Sequence, residues 1–261
     1  MDALSIAVYR SLIGGLAMIV LVPRKQWIFK PVMIPLCLIF GAMIAFYISA
    51  VKLTTAANAI FLQCTATFWV VPLAILFLKE RPDRRSVIGI GLATIGCVAI
   101  LGFGHDGSPG ETRGIILGLL SGIGYAFAVI GMRSLRGLNP YWLSGVNNLG
   151  ATITIYAWIL LSGGTLATPT PNQTLTLAFF GIVQMSVPYA LFARGLQTIG
   201  PAEAGLLGLL EPVLNPIWVY LVRGEVPHTP TFIGGAFLLM GVATKYWPTR
   251  SLQRRSDQPP P

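Results

Sequence analysis

Two stretches decide how this chain reads: VKLTTAANAIFLQCTATFWVVPLAILFLKERP at 51–82 and QTIGPAEAGLLGLLEPVLNPIWVYLVRGEVP at 197–227. Each holds an apolar run near the ~20 residues that a helix needs to cross the ~30 Å hydrocarbon layer of a bilayer. Each ends in Glu-x-Pro, and a shift of 145 positions lays one on the other. Under that shift Ala57 meets Ala202, Ala59 meets Ala204, Leu62 meets Leu207, Leu76 meets Leu221, Glu80 meets Glu225 and Pro82 meets Pro227. The register continues into the next apolar block, where Gly89 meets Gly234 and Gly96 meets Gly241. Ala/Leu/Gly-rich chains supply some such matches by chance; a Glu-x-Pro repeated at the same helix boundary is harder to obtain that way.

Working outward, the aliphatic residues fall into nine blocks of span length: 3–22, 31–51, 56–78, 86–104, 114–132, 140–162, 174–193, 203–222 and 230–247. The blocks lack a period-two alternation and are twice as long as a barrel strand, so the expected fold is an all-α integral membrane protein. A hydrophobic fraction of 54% with only 10% charged residues and a mean hydropathy of +0.71 excludes an ordinary soluble domain. The first block lacks a basic start and an A-x-A-like end, and Arg10 interrupts it, so it is not a removable signal peptide.

Alternating the connectors between two sides places Arg24, Lys25, Lys30, Lys79, Arg81, Arg84, Arg85, Arg133, Arg136, Arg194, Lys245, Arg250, Arg254 and Arg255 together. The other side receives Lys52, Arg113 and Arg223. The positive-inside rule makes the first side cytoplasmic, which predicts a multi-pass protein of the plasma (inner) membrane with its C-terminus inside and its N-terminus outside. Glu80 and Glu225 then fall on opposite sides, so the two repeats run through the bilayer in opposite senses. Residues 1–104 read as a first repeat of four helices and 112–247 as a second of five, because the helix at 114–132 has no counterpart before residue 1. The polar, Pro-rich segment 248–261 reads as a disordered cytoplasmic tail. Inverted repeats are a mark of secondary transporters, with the substrate held at the repeat interface near the midplane.

The two opening stretches closely resemble the fourth and ninth helices of the drug/metabolite transporter superfamily, EamA type. GIILGLLSGIGYAFAVIGMRSL at 114–135 is similar to that family's sixth helix, and YRSLIGGLAMIVLVP at 9–23 to its second. The resemblance covers nearly the whole chain. It implies ten helices in two inverted five-helix repeats, cytoplasmic termini, and export or uptake of small metabolites. This chain departs from the pattern at the first helix, pointing to a start assigned too late or to a genuine truncation.

An ionisable residue inside a span is a functional candidate, since it costs ~2.5–3.5 kcal/mol on insertion scales. Glu211 sits within LLGLLEPVLNP, where Pro212 and Pro216 free carbonyls upstream, a place to hold a substrate amine or a proton. Capping a kink, or pairing with a neighbouring helix, is its structural alternative. Arg10 offers a planar fork for a substrate carboxylate, but its long stem and the nearby outer interface favour snorkelling. Asn58, Gln63, Trp69, Tyr125, Tyr189 and Asn215 are further candidates for substrate contact. Asn147, Asn148, Gln184 and Trp218 form a weaker tier, in which interhelical hydrogen bonding is the commoner role for an amide. Pro72, Pro188, Pro212 and Pro216 are expected kink or gating positions. Gly114, Gly118 and Gly122 make a small-residue stripe, read first as packing within the bundle and second as a homodimer face.

Other chemistries find no support. GFGHDG at 102–107 matches a dinucleotide fingerprint literally but follows no strand. No Walker A sequence is present, His105 and His228 lie in separate outer connectors, and Cys37, Cys64 and Cys97 occupy three different spans without CxxC spacing. Asn172-Gln173-Thr174 is a formal glycosylation sequon in an outer loop. No enzyme activity, cofactor, metal or nucleic-acid partner is expected. The leading expectation is a secondary transporter, in the export sense, of a small polar metabolite or drug-like compound by alternating access, coupled to protons or a counter-substrate. The alternative is a non-transporting accessory membrane protein.

Overall fold

In a computed structural model the described residues are 1–54, 56–101, 109–211, 213–214, 221 and 229–246. Pro212, Asn215, Pro216, Trp218, Glu225, both histidines, the GFGHDG segment and the tail at 248–261 lie outside them. The described residues form nine helical rods. Helix α1 is Ala3–Val20 and α2 is Met33–Leu53. The third rod comprises α3 (Ala56–Cys64), α4 (Ala66–Leu73) and a π segment, Ala74–Leu78. Then follow α5 (Arg84–Leu101), α6 (Pro109–Ser134) and α7 (Pro140–Leu161). The seventh rod joins α8 (Pro171–Phe180), a π turn (Gly181–Ser186) and α9 (Val187–Gly195). It is followed by α10 (Pro201–Gly208) and α11 (Thr229–Tyr246). Ala3–Val20, Met33–Leu53, Asn58–Leu78, Gly110–Ser134 and Pro171–Gly195 are long and apolar enough to cross a membrane on those criteria alone. Large apolar side chains stand on their outer faces, as a lipid-facing surface requires: Leu38, Leu76, Phe179 and Leu191 are all more than half exposed.

Local chemistry sets the helix boundaries. Asp2 caps α1 through the Ser5 amide, Asn139 caps α7 through the amides of Tyr141 and Trp142, and Thr170 with Gln173 forms a capping box at α8. Pro140, Pro171 and Pro201 each sit in the first turn, where a missing N–H costs nothing. Thr65 separates α3 from α4, its hydroxyl donating to the Leu62 carbonyl at 2.6 Å. Pro72 inside α4 is followed at once by the π segment, and the second π turn runs into Pro188. A proline removes a donor from the helical ladder, and a π turn absorbs the mismatch.

The repeat is visible in the element boundaries. Under the 145-residue shift helix α5 lies on helix α11, and α3 on α10. These copies also touch each other reciprocally. A Cβ added to Gly89 would lie 2.5 Å from the Gly241 carbonyl, and one added to Gly96 would lie 2.7 Å from the Gly234 carbonyl. Gly234 is the register mate of Gly89, and Gly241 that of Gly96. Residue i of one copy meets residue j of the other, and j meets i, which is the contact rule of a two-fold axis. Contacts that rise in one helix as they fall in the other also make the pair antiparallel, so the copies run in opposite senses. A small core around this crossing keeps the same pairing, with Phe61 and its mate Leu206 buried beside Ala93 and its mate Leu238.

Backbone proximity through glycine recurs across the bundle, as expected where lipid offers no hydrophobic drive between helices. Gly15 and Gly145 bring α1 onto α7, and Gly41 brings α2 against Ala151 and Thr154. The stripe of Gly114, Gly118 and Gly122 faces Leu53, Thr54, Leu62 and Thr65, so it packs α6 inside the bundle and does not form an outer face. Connectors at one end are bound together: Gln26 accepts from Asn139 at 2.6 Å, Trp27 stacks on Trp142 at 5.2 Å, and Gln197 donates to the Leu138 carbonyl. That end carries the basic side chains Arg24, Lys25, Lys30, Arg133, Arg136 and Arg194. At the other end Lys52 pairs with Asp2 at 3.7 Å and the Ala167 amide donates to Ser5.

The α5–α11 crossing leaves no space for a side chain. Gly241→Leu is expected to lower folded-state stability by about 1–3 kcal/mol through overpacking, read as a drop in melting temperature of the solubilised protein. Gly91→Ala, at a glycine with nothing within 4 Å of an added Cβ, should leave the melting temperature unchanged.

Candidate functional site

Between the halves lies a cavity of ≈ 380 Å³. The first half contributes Arg10 from α1, Met43, Ile44, Tyr47 and Ile48 from α2, and Gln63 from α3. The second contributes Tyr125 from α6, Gln184, Met185, Pro188, Tyr189 and Phe192 from the seventh rod, and Glu211 just beyond α10.

Arg10 is placed by backbone packing. Gly14, one turn further along α1, presses on Gly181, where an added Cβ would lie 2.5 Å from the Gly181 carbonyl. The π turn that begins at Gly181 is closed by Ser186, whose hydroxyl donates to the Gly181 carbonyl at 2.8 Å. The extra residue in that turn brings Gln184 and Met185 round to α1. The Arg10 guanidinium donates to Gln184 Oε1 at 2.6 Å and to Met185 Sδ at 3.5 Å, while its buried Nε has no partner. Arg10 therefore faces the cavity and does not snorkel to the outer interface. The cavity supplies the polar partner that snorkelling would otherwise seek at the interface.

Glu211 reaches the same space from the other half. Its side chain is exposed to it and makes no hydrogen bond or ion pair among the described residues. Neither a helix cap nor a pair with Arg10 holds it. Gln63 is fixed by a relay, its amide donating to Ser121 Oγ at 2.8 Å and Ser121 donating to the Met43 carbonyl at 3.1 Å. Tyr189 packs edge-on against Phe40 at 4.8 Å, and Tyr125 lies against Phe192 at 6.2 Å.

Of the candidates read from sequence, Arg10, Gln63, Tyr125, Tyr189 and Glu211 meet in this cavity, with Gln184 and Pro188. Asn58 and Trp69 do not line it. Trp69 is partly exposed beside Phe68 and borders a lateral crevice with Cys64, Thr67, Thr94 and Val98. Asn147 and Asn148 are buried in α7, accepting weakly from Cys37 Sγ and donating to the Ser144 carbonyl respectively. Reading by residue type missed Tyr47, Met43 and Phe192. Tyr47 was open to discovery, being a polar-tipped aromatic one turn past Met43 on the face of α2 that turns inward.

Met43, under Gly124 of α6, is 2% exposed, whereas its register mate Pro188 is exposed. Towards the basic end an ion cluster ties the halves together. Glu80 accepts from Arg133 Nε at 3.1 and 3.3 Å and from Arg136 at 3.2 Å, and Arg133 also donates to the Leu196 carbonyl at 2.7 Å. Arg133 is 8% exposed. It stands two turns of α6 beyond Tyr125, roughly 12 Å along the axis, so the cluster lies beyond the cavity towards that end.

A multi-pass helical bundle with opposed repeats and a charged cavity between them belongs among the membrane transport proteins. The chain is a member of the EamA-like transporter family, whose model matches residues 1–102 and again 112–246. It is 28% identical over 244 residues to an uncharacterized transporter of Archaeoglobus fulgidus, covering 92% of this chain and 86% of that one. It is also 28% identical over 205 residues to the biotin transporter of Escherichia coli, covering 72% and 66% respectively. A crystal structure with 18% sequence identity superposes with a TM-score of 0.78 over 99% of this chain and 90% of its own, sharing the fold.

Removing Glu80 strands the Arg133 charge in a buried position. Glu80→Gln is expected to cost about 3 kcal/mol, visible as a lower melting temperature. Arg136→Gln, which removes only the exposed arm of the cluster, should change it little.

Proposed function

We propose that this chain is a secondary transporter that exports a small polar metabolite across the plasma (inner) membrane, its C-terminus cytoplasmic, by exposing the central cavity to each side in turn. The observation that carries this reading is the cavity itself, which takes Arg10 and Gln63 from one half and Tyr189 and Glu211 from the other. A pocket divided between two bodies of opposite orientation changes its exposure when those bodies rock. The π segments beside Pro72 and Pro188 supply places where a rod bends without losing its whole hydrogen-bond ladder. The ion cluster at Glu80 acts as the latch that holds the basic end shut. The excess of Arg and Lys at that end supports its placement in the cytoplasm.

Arg10 is assigned to a carboxylate on the substrate, Gln63 and the tyrosine hydroxyls to its polar groups, and Glu211 to a coupling proton or a substrate amine. Expression in a sensitive host exposed to toxic metabolite analogues tests the reading. Resistance to at least one analogue is expected, with faster efflux of that compound from loaded cells. Glu211→Gln should abolish the efflux while its amount in the membrane stays unchanged. Failure to protect against or move any analogue, or unchanged efflux in Glu211→Gln, would overturn it.

A further inference from the structure

We propose that the chain holds an anionic phospholipid in a crevice on its outer surface, between α2 and α7 at the basic end. The proposal rests on the membrane-spanning fold and not on the transport reading. The crevice has a volume of ≈ 490 Å³ and shares no lining residue with the central cavity. Its walls run side by side in the same direction, away from the basic end. Cys37 Sγ of α2 donates to the Val146 carbonyl of α7 at 3.4 Å, and Gly41 packs on Ala151 and Thr154. Gly150 makes the floor, because its missing side chain lets α7 close on Cys37. Ile34 and Ile153 stand at the edges, both 70% exposed, so the opening faces sideways into lipid.

That shape suits an acyl chain. Val146, Gly150 and Ile153 follow one face of α7 and extend roughly 10 Å along its axis. One leaflet supplies about 15 Å of hydrocarbon, half of the ~30 Å core, so the crevice runs through much of one leaflet. Left unfilled, its lining would lose dispersion contacts. The mouth carries a positive charge. Lys30 lines it, is exposed, and enters no ion pair among the described residues. No Asp or Glu occurs between residues 3 and 79 or between 112 and 202, so neither wall nor the connectors leading into them offers Lys30 a carboxylate. Glu80, at the same end, is already shared by Arg133 and Arg136.

The connector that bears Lys30 is held in place by rings. Trp27 stacks on Trp142 at 5.2 Å, Phe29 meets the same ring edge-on at 5.0 Å, and Trp142 Nε1 donates to the Ile28 carbonyl at 2.9 Å. Trp27 and Phe29 remain exposed, as aromatic side chains at headgroup depth do. A fixed cation at that depth, above an apolar crevice between two spans, matches a lipid with a negative headgroup. A free phosphate would leave the crevice unfilled, and a lipid of no net charge would leave Lys30 uncompensated. A second copy of this chain packed there about a two-fold axis along the membrane normal would bring basic end to basic end.

Native mass spectrometry of the purified full chain tests this. The probes are dioleoyl phosphatidylglycerol, dioleoyl phosphatidylcholine and, as a headgroup without chains, glycerol 1-phosphate. One phosphatidylglycerol should be retained, with a dissociation constant about fivefold below that of phosphatidylcholine, the factor that one basic residue near an anionic surface supplies. Glycerol 1-phosphate should not be retained. Lys30→Gln should erase the preference and Lys30→Glu reverse it. Arg194→Gln, which removes an exposed cation of the same end outside the crevice, should leave it intact. Phosphatidylglycerol with a photoreactive diazirine in its acyl chain should label residues within 33–38 or 146–153. Equal retention of the two lipids, retention of glycerol 1-phosphate, or a preference that survives in Lys30→Gln would overturn the proposal. So would an equal loss in Arg194→Gln, labelling confined to other segments, or a lipid-free dimer. Lys30 is exposed, so its variants should fold; labelling of the unaltered chain decides the matter even where one does not. Solute flux enters none of these readouts, so the transport reading can fail while this proposal stands.

Discussion

The crossing of α5 and α11 is the constraint on which the rest of the molecule depends. Gly89 meets Gly241 and Gly96 meets Gly234 so closely that neither helix can carry a side chain there. Because Gly89 touches the register mate of Gly96, and Gly96 touches that of Gly89, the crossing fixes the relation between the two repeats: copies, turned end for end. Two such copies do not present the same wall to each other along the membrane normal. One supplies Arg10 and Gln63, the other Tyr189 and Glu211, and a cavity with unlike sides is the consequence.

The packing explains how polar groups persist in a chain this apolar. Small residues bring backbones together at α1–α7, α2–α7 and α5–α11, where dispersion and close fit replace a hydrophobic drive that lipid does not provide. Among the described residues some of the polar side chains that remain are locked, as in the Gln63–Ser121–Met43 relay, and others turn into the cavity, as with Arg10 and Glu211. The strong ion cluster lies away from the cavity, where Glu80 of the first half meets Arg133 and the Leu196 carbonyl of the second. Charges that fix the structure are thus separated from charges that stay available. The irregular turns follow the same division. The π turn at Gly181–Ser186 lies against the cavity and carries Gln184 and Met185 to Arg10, so one local insertion both bends a rod and orients a site residue.

Much of this was legible in the sequence, and the reasons are physical. Span length and Glu-x-Pro punctuation are local properties, so α5 and α11 fall on the blocks read at 86–104 and 230–247. The glycine register at 89 and 234, and at 96 and 241, was present as a pattern, and the structure gives it a cause. Glu211, Tyr125 and Tyr189 stood out because polar tips inside spans are expensive. Side-chain direction was not legible. Arg10 had two routes to a polar medium, and the sequence does not say that a cavity is nearer than the interface. Trp69 has the right chemistry but stands beside Phe68 at the lateral crevice and not in the central cavity. The extra residue of a π turn likewise leaves no mark in composition, so the meeting of Gln184 with Arg10 was invisible. The Glu80 cluster was half seen: its glutamate was a repeat landmark, while its arginines were counted only as loop charge.

The opposed orientation of the two repeats is most directly tested by thiol accessibility at register mates. In a background lacking Cys37, Cys64 and Cys97, single cysteines at Arg81 and Val226 are labelled with a membrane-impermeant reagent in sealed, oriented vesicles. The reagent should reach one position only from the inside and the other only from the outside. Labelling of both from the same compartment would contradict the opposed orientation and, with it, the origin of the cavity.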